Sequence, residues 1–314
     1  MSLSSSSTTA TAEANTTLSL RGEDAPQQEP TPNAAISRGD VLPDIPRFPS
    51  YREERRHHLI QMAATFRMWS RRGYTEGQSG HISIRDPEFP TLMWMNPLSR
   101  HFGSLTAGDM LCVEIETGRI VAGRRNPRTG GRTVNAAGYW IHSAIHRARQ
   151  DAHSVCHAHT IAGRAWSVFA RPLEMITQDV CTFYGAHTVY DEYEGIVFGG
   201  DEGRNIARSL GTHNKAAILM NHGLLTVGQT VAEAGFLFGL LDNSCAIQLQ
   251  AEAAAASGIG KRYIGDEEAA YNFRMASEAN VLYREGQSDI EYEIDAVGGE
   301  EALAKGFDDL EIMV

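Results

Sequence analysis

The spacing of apolar residues predicts an alternation of helices and short strands from residue 51 onward. Leu59, Met62, Phe66 and Trp69 recur at three- or four-residue intervals, which is typical of an amphipathic helix that ends before Gly73. Further helices are predicted at 135–147, 161–169, 202–210, 231–256 and 266–283. Short strands are predicted at 81–85, 92–95, 110–115, 119–121, 154–159, 216–220 and 224–227. This irregular alternation indicates an α/β sandwich around a mixed sheet.

The two ends of the chain differ from its middle in composition. Residues 1–50 begin with a Ser/Thr/Ala/Pro/Gln-rich stretch, have a net charge of −3, and predict a disordered tail. Residues 285–314 hold ten acids and one base, and predict a loosely ordered acidic tail. Residues 51–284 have a net charge of +1 and predict a single domain. The total charge of −11 therefore belongs to the ends and says nothing about substrate charge.

Composition and sequence features exclude several classes of protein. No segment approaches the ~20 apolar residues of a membrane span, and the acidity argues against nucleic-acid binding. The four cysteines form no CxxC pair, so reduced and buried thiols are expected. The first 33 residues lack both a secretory signal and the repeated arginines of a mitochondrial presequence. We therefore expect a cytoplasmic protein with a small-molecule substrate and with neither nucleic-acid nor membrane partners.

The most informative local feature is a pair of histidines in a predicted strand. His157 and His159 are two positions apart, so their imidazoles lie on the same face of the strand. His222, at the end of the next strongly apolar strand, is the best third candidate. Three imidazoles around one point would hold a metal with open positions, which polarises a carbonyl or activates water. Such a pair also occurs in ordinary packing, and His142 and His146 are likewise compatible with packing or with metal binding.

Five segments together resemble the class II aldolase and adducin family. In chain order they are Glu76–Ser83, Met95–Pro97, Asn135–His142, Cys156–His159 and Asn221–Leu225. The resemblance covers about residues 52–256 and is greatest to the fungal-type members, which share a segment like Gln178–Tyr184. It implies a three-layer α/β/α fold with a central, mostly antiparallel sheet. It also implies a homotetramer with a divalent metal, most often Zn²⁺, held near the subunit interface by His157, His159 and His222.

The chain departs from the family's sugar-phosphate aldolases at three places. Those enzymes carry an acid four positions before the histidine that matches His142, and here that position is Gly138. Their Gly-Asn phosphate loop is replaced by Gly80 and His81, and their Thr-Gly segment by Leu98 and Ser99. A substrate without phosphate is therefore expected.

The acid or base that Gly138 cannot supply has four candidates, namely His81, Glu76, Tyr184 and His142. His81 lies in the loop that the family uses for substrate, Glu76 precedes it, and Tyr184 lies in a segment that approaches the neighbouring subunit's site. Gly80 and Asn96 are expected to line the substrate pocket. Glu76 is also compatible with a surface charge, and Tyr184 with a core residue. Arg124, Arg125, Arg128 and Arg132 either clamp a carboxylate or belong to a mobile, solvated loop.

These features predict a metal-dependent lyase for a carbonyl compound or a hydroxy acid. Retro-aldol cleavage and decarboxylation both leave a carbanion that a metal stabilises as an enolate. Two alternatives stay open. An epimerase or isomerase would use the same metal chemistry. A non-catalytic, adducin-like association module is favoured by Gly138 but opposed by the three retained histidines.

Overall fold

The computed structural model describes residues 42–193 and 199–312, together with residues 31, 32, 39, 40 and 195. The helices are Tyr51–Arg71 (α1), Ala136–Ala148 (α2), Ile161–Ser167 (α3), Gly200–Leu210 (α4), Val231–Ala255 (α5), Asp266–Ala276 (α6), Ala279–Ala296 (α7) and Glu300–Ala304 (α8). The strands are His81–Arg85 (β1), Leu92–Met95 (β2), Leu111–Glu114 (β3), Ile120–Gly123 (β4), Ser154–Ala158 (β5), His187–Tyr190 (β6), Ala216–Leu219 (β7) and Gly223–Gly228 (β8). The predicted disordered tail, residues 1–50, lies mostly outside the described residues.

The strands of the described chain form one eight-stranded sheet in the order β4-β3-β2-β1-β5-β8-β7-β6. Neighbouring strands are antiparallel except β6 and β7, which run parallel. Strand β6 was not predicted because its four residues carry no clear alternation. The predicted three-layer architecture with a mostly antiparallel sheet is confirmed.

Helices cover both faces of the sheet because successive strand residues point to opposite sides. In β5, Cys156 belongs to the apolar cluster formed with α1, α5 and α7, whereas its neighbour Val155 belongs to the cluster formed with α2 and α4. The Trp69 and Phe238 rings pack 4.6 Å apart between α1 and α5. Fully burying a large apolar side chain contributes about 1.5–3 kcal/mol, so these two clusters stabilise the packing of helices on both faces of the sheet.

The acidic C-terminal segment is helical, which corrects the prediction of a loosely ordered tail. Leu282, Gly286 and Ile290 follow one another at four-residue spacing on α7 and are buried. Acids of α7, of α8 and of the residues after α8 pair with arginines of α1 and of its C-cap. These pairs are Arg71–Glu293, Arg72–Asp289, Arg56–Glu301 and Arg52–Asp308. The net charge of this segment did not predict its helices, because the helical spacing of its apolar residues determines how it packs.

The predicted helix 266–283 is two helices. Helix α6 ends at Ala276, and the Ser277 hydroxyl donates to the Thr182 carbonyl at 2.7 Å. The Glu278 side chain then caps α7 by accepting from the Asn280 and Val281 amides. The four cysteines are free and buried, as predicted. None of the helices in the described ranges has the length and apolar character needed to cross a membrane.

Candidate metal centre

Strand β5 places the first two histidines of the candidate site. His157 is fully buried near the end of the strand, opposite His81 of β1 in the antiparallel pairing. His159 follows the strand directly, and its ring centroid lies 5.1 Å from that of His157. The two-residue spacing therefore brings both imidazoles to the same side, as the sequence predicts.

The turn between β7 and β8 supplies the third histidine. Asn221 adopts a left-handed conformation with φ of +56°, and β8 pairs with β5 so that Leu224 lies opposite Ala158. His222 is thereby carried to the other two rings, with centroids 4.8 Å from His157 and 4.9 Å from His159. Gly223 is needed here because a Cβ at this position would lie 2.9 Å from the Ala158 carbonyl oxygen.

The three imidazoles offer a convergent set of metal ligands. One ring nitrogen from each of His157, His159 and His222 lies within 4.8 Å of the other two. His157 Nδ1 donates to the Leu224 carbonyl at 2.9 Å, so the proton is on Nδ1 and the lone pair on Nε2. That Nε2 is buried with no hydrogen-bond partner. A backbone carbonyl that fixes the tautomer of a ligand is the usual second shell of a metal site, so these residues fit a divalent metal.

The electrostatic setting keeps the three rings neutral, which metal binding requires. Burial lowers the pKa of His157 well below its usual value and lowers that of His222 to about 4. Burial, followed by the nearby Arg164 guanidinium, also lowers the pKa of His159. All three nitrogens are therefore available to a cation at neutral pH.

A cavity of about 410 Å³ opens onto these histidines. His81 lines it, and both nitrogens of its buried ring lack a hydrogen-bond partner among the described residues. Its ring stacks on His157 at a centroid distance of 5.5 Å. Arg164 and Tyr193 also line the cavity. The cavity therefore combines the predicted ligands, a neutral imidazole and a guanidinium.

Gly138 and His81 depend on each other. A Cβ at Gly138 would lie 2.7 Å from Cγ and Cδ2 of His81. The His81 ring therefore occupies the space in which a side chain at position 138 would begin. The imidazole of His81 therefore takes up space that an acidic side chain at position 138 would need.

His142 and His146 do not belong to the metal cluster. His142 Nδ1 and His146 Nε2 both bond to the Ser83 hydroxyl, at 2.7 and 2.8 Å. Gly138, His142 and His146 are spaced by four residues, so they form one face of α2 above His81 and Ser83 of β1. Of the two possibilities that the sequence leaves open, the structure places these histidines in a buried packing network.

The predicted substrate-binding residues Gly80 and Asn96 are not among the residues that line the histidine cavity, and their role in substrate binding stays a prediction. The Asn96 amide donates to the Gly80 carbonyl at 3.3 Å, behind the loop. Gly80 has φ of +103°, and a Cβ there would lie 2.9 Å from the Phe102 ring. Both residues therefore shape the loop that carries His81.

Glu76 lies next to the cavity but does not line it. Its carboxylate pairs with the Arg164 guanidinium at 2.9 Å, and both side chains are about half exposed. Arg164 itself lines the cavity. The structure therefore connects Glu76 to the site through Arg164.

Tyr184 does not line the histidine cavity of its own chain. It follows the short 3₁₀ helix Asp179–Phe183, and its hydroxyl faces the Asp266 carboxylate. Its predicted catalytic role would require a neighbouring subunit and stays a prediction.

Arg164 and Tyr193 are among the lining residues that sequence reasoning did not identify. Arg164 stands five residues after His159, one turn into the helix that follows β5, so its distance from the HxH pair was an available signal. Tyr193 belongs to the segment after β6, a strand that sequence reasoning also missed. No local motif marks it.

Comparison with known proteins adds independent findings. The model described as "Class II Aldolase and Adducin N-terminal domain" matches residues 60–249. Decarboxylase NovR of Streptomyces niveus is 42% identical over 216 residues, which cover 68% of this chain and 77% of that protein. A Streptomyces roseochromogenus subsp. oscitans protein named 4-hydroxy-3-prenylphenylpyruvate oxygenase/4-hydroxy-3-prenylbenzoate synthase is also 42% identical over 216 residues, covering 68% and 75%. The solved L-fuculose 1-phosphate aldolase from Glaciozyma antarctica PI12 superposes with a TM-score of 0.74 at 32% identity, covering 82% of this chain and 96% of that one.

Proposed function

The chain belongs to the class II aldolase and adducin family, and on that premise we propose that it is a metal-dependent lyase. The reaction is retro-aldol cleavage or decarboxylation of a carbonyl compound or hydroxy acid without phosphate. One observation carries the proposal, namely the convergence of His157, His159 and His222 with their nitrogens within 4.8 Å. The family predicted from the sequence is confirmed, and the name of the decarboxylase relative supports a lyase-type activity.

The metal would be held by His157, His159 and His222, and we propose zinc. A divalent metal with open positions polarises a carbonyl and stabilises the negative charge left by carbon–carbon cleavage. The buried His157 Nε2 supports this assignment because an unpartnered nitrogen in a dry site costs free energy unless a ligand satisfies it.

His81 is the proposed proton-transfer residue of this chain. It is neutral because burial lowers its pKa well below the usual value. A neutral imidazole offers one N–H donor and one lone pair, and neither nitrogen of His81 has a partner among the described residues. In the cavity, His81 would hold or move the proton that the family's aldolases handle with the acid replaced here by Gly138.

Arg164 is the proposed anchor for a substrate carboxylate. Its guanidinium lines the cavity on the same side as His159, and Glu76 pairs with it at 2.9 Å. Guanidinium groups bind carboxylates through two parallel hydrogen bonds. Glu76 would therefore act by positioning Arg164.

We propose that the working unit is a homotetramer in the cytoplasm, with Tyr184 approaching a neighbouring subunit's site. Helix α3, which carries Arg164, and the residues after it expose the apolar side chains of Ile161, Val168 and Phe169 to 80%, 56% and 54%. Such a patch beside a cavity is typical of a protein–protein contact.

Three other functions make different demands on the same site. An association module has no use for three convergent ligands. An epimerase would exchange a substrate proton without cleaving a carbon–carbon bond. An oxygenase, as one relative is named, would consume O₂.

The decisive experiment incubates the full-length, zinc-loaded protein with a panel of 2-oxo acids and hydroxy acids, under air and under argon. The lyase proposal expects CO₂ or aldehyde release in both atmospheres, and loss of turnover on chelation. Turnover only under air would indicate an oxygenase. Solvent deuterium incorporation without cleavage would indicate an epimerase. Absence of both bound metal and turnover would favour the association module.

A further inference from the structure

The carboxylate of Asp242 on α5 is buried outside the histidine cavity. Asp242 is 8% exposed and is not among the residues that line that cavity. Its Oδ1 accepts a hydrogen bond from the Gly163 amide of α3 at 3.1 Å. Burying a carboxylate is costly unless hydrogen bonds compensate for the lost water. The groups that contact Asp242 therefore show what this carboxylate holds in place.

The first group belongs to α3, which begins two residues after His159. A Cβ at Gly163 would lie 2.5 Å from Leu224 Cγ, so α3 packs directly on β8. The carbonyl of the same Leu224 accepts the hydrogen bond from His157 Nδ1. Asp242 therefore holds α3 at the point where this helix meets the strand that orients His157.

The second group precedes the loop that carries His81. The Tyr74 hydroxyl faces both the Asp242 carboxylate and the Arg72 guanidinium. Burial, followed by the charge of Asp242, raises the pKa of Tyr74 to about 12, so the hydroxyl keeps its proton. Arg72 lies against α5, since a Cβ at Gly239 would be 2.7 Å from Arg72 Nη1. The buried carboxylate thus has a hydroxyl and a positive charge beside it.

Asp242 joins the two segments that flank the histidine cavity. One segment leads from Tyr74 to His81, and the other carries Arg164. The Glu76–Arg164 ion pair joins the same segments near the surface, but it is about half exposed. Exposed pairs of this kind contribute little. The contact in the core is therefore the stronger constraint on the spacing of the two segments.

We propose that Asp242 is a positioning residue, which sets the distance between the loop of His81 and the helix of Arg164. The inference rests on the proposed function, because it concerns the same cavity. A binding or catalytic group works only when its supporting contacts hold it to within about 0.5 Å. The necessary feature of Asp242 is the fixed Oδ1 acceptor. Asparagine keeps this acceptor and alanine removes it.

Hydrogen exchange and cobalt binding test the contact and its consequence in the full-length protein. In metal-free Asp242→Ala, the Gly163 amide should exchange about tenfold faster or more than in the wild type, because it loses a buried, charged acceptor. The dissociation constant for Co²⁺ should rise about tenfold, as it does when supporting contacts of metal ligands are removed. The visible absorption bands of bound Co²⁺ should also change, since the position of His159 is no longer fixed.

Two variants separate positioning from a general loss of stability. Asp242→Asn should restore most of the Co²⁺ affinity and the wild-type absorption bands. Glu233→Ala is the matched control, because Glu233 is also a buried acid of α5 and accepts from the Gln229 amide at 2.8 Å. Its partners lie at the end of β8 opposite Gly223. Glu233→Ala should therefore lower stability and leave the cobalt spectrum unchanged.

Three results would overturn the inference. Unchanged exchange of the Gly163 amide in Asp242→Ala would show that the contact does not hold α3. A wild-type cobalt spectrum and affinity in Asp242→Ala would show that Asp242 does not position the site. Equal changes in Asp242→Ala and Glu233→Ala would reduce its role to stability.

Tyr74→Phe takes the place of Asp242→Ala if that variant does not fold. It removes the hydroxyl beside the carboxylate and keeps the buried ring, so Co²⁺ affinity should fall several-fold. Wild-type affinity in Tyr74→Phe would overturn the inference in the same way. If the wild type binds no Co²⁺, the metal centre itself is wrong, and the Gly163 exchange still shows whether Asp242 holds α3.

Discussion

Two groups of histidines lie near strand β1. The closed group, His142 and His146, bonds to the Ser83 hydroxyl, and the open group, His157, His159 and His222, converges beside a cavity. His142 and His146 share the Ser83 hydroxyl at 2.7 and 2.8 Å. His157, His159 and His222 converge on an open cavity, with the His157 Nε2 unpartnered. Burial lowers the pKa in both groups, so burial and neutrality do not separate them. Both groups contain buried nitrogens without a partner among the described residues, so the convergence of three nitrogens beside a cavity identifies the group that can bind a metal.

His81 lies between the two groups. Its ring centroid is 5.5 Å from that of His142 and 5.5 Å from that of His157. Both of its nitrogens lack partners among the described residues and it lines the histidine cavity, so it belongs with the open group, although α2 packs over it. The contrast between the two groups can be tested at several points, with effects of different size.

Removing the open group should have the largest effect. We expect the His157→Ala/His159→Ala variant to lose its bound metal and to lower turnover about a thousandfold or more, because the metal carries the charge stabilisation. The fold should remain, since these rings contribute ligands and not packing of the two apolar clusters. Elemental analysis and circular dichroism measure the two outcomes.

The matched control is His213→Ala, which removes an exposed histidine that is not part of the cluster. It should keep full metal content. Stoichiometric metal in the double variant would contradict the assignment of the ligands. It would also remove the distinction between the two groups.

The next effect concerns the stability of the fold at acid pH, and it comes from His142 and His146 of the closed group. Burial lowers the pKa of His142 and of His146 to about 3, while an unfolded histidine titrates near 6.5. The unfolded chain therefore binds more protons between these values. Stability should be intact above about pH 6.5 and should fall by about 1.4 kcal/mol per pH unit per histidine below it.

Denaturant unfolding of chelator-treated protein from pH 7 to pH 4 measures this loss, and histidine NMR titrations assign it to residues. The His142 and His146 resonances should stay unshifted between pH 8 and pH 5, as buried neutral rings require. A titration of either ring near pH 6.5 would contradict the view that both are held neutral.

Ser83 is the residue that separates the two groups, and its removal comes next. Ser83→Ala removes the hydrogen-bond partner of His142 Nδ1 and of His146 Nε2, at a cost of about 1–3 kcal/mol each, and leaves both nitrogens of each ring unpaired. Unfolding free energy should fall by about 2–6 kcal/mol, with metal content unchanged. Ser154→Ala provides the comparison, since the buried Ser154 hydroxyl donates only one hydrogen bond, to the Ser83 carbonyl at 3.0 Å. A loss of metal in Ser83→Ala would mean that the two groups are one unit.

The open group was predictable from the sequence, and the closed group was only half predictable. The HxH spacing and the apolar strand before His222 place three ligands together by strand geometry alone. The alternatives for His142 and His146 could not be separated, because Ser83 joins them only through the pairing of α2 with β1. Likewise, the Asn96 side chain is oriented by its hydrogen bond to the Gly80 carbonyl, which no local sequence motif reveals.

The sequence predicted the elements whose apolar periodicity is long. It did not predict those whose periodicity is short or is hidden by acidic residues. The long helix α5 was predicted to within one residue of its observed end, Ala255. The four-residue strand β6 was missed, and the apolar spacing of α7 was hidden by its many acids. Charge composition describes solvent-facing positions, so it does not reveal whether a helix packs.

A substitution of Gly138 tests how His81 is held between the groups. In Gly138→Ala, the new Cβ would lie 2.7 Å from the His81 ring, and overpacking costs about 1–3 kcal/mol. The better helix propensity of Ala returns at most about 1 kcal/mol, so a net loss of about 1–2 kcal/mol is expected, with lower turnover.

The double variant Gly138→Ala/His81→Ala isolates the contact. If the two positions share one space, the double variant should be more stable than the sum of the single effects predicts, by about 1 kcal/mol or more. Additive effects would show that His81 is not constrained by the helix face at Gly138.

The smallest effect concerns Glu76, which lies at the exposed edge of the open group. The Glu76–Arg164 pair is about half exposed on both sides, and such pairs contribute about 0–1 kcal/mol. Glu76→Gln should therefore change the unfolding free energy by less than about 0.5 kcal/mol. If Glu76 acts by positioning Arg164, the substrate KM should rise several-fold while kcat stays nearly constant, since the guanidinium binds ground state and transition state alike. A loss of kcat of about a hundredfold, with KM unchanged, would instead identify Glu76 as the general acid or base. The open group would then include a carboxylate as well as the imidazole of His81.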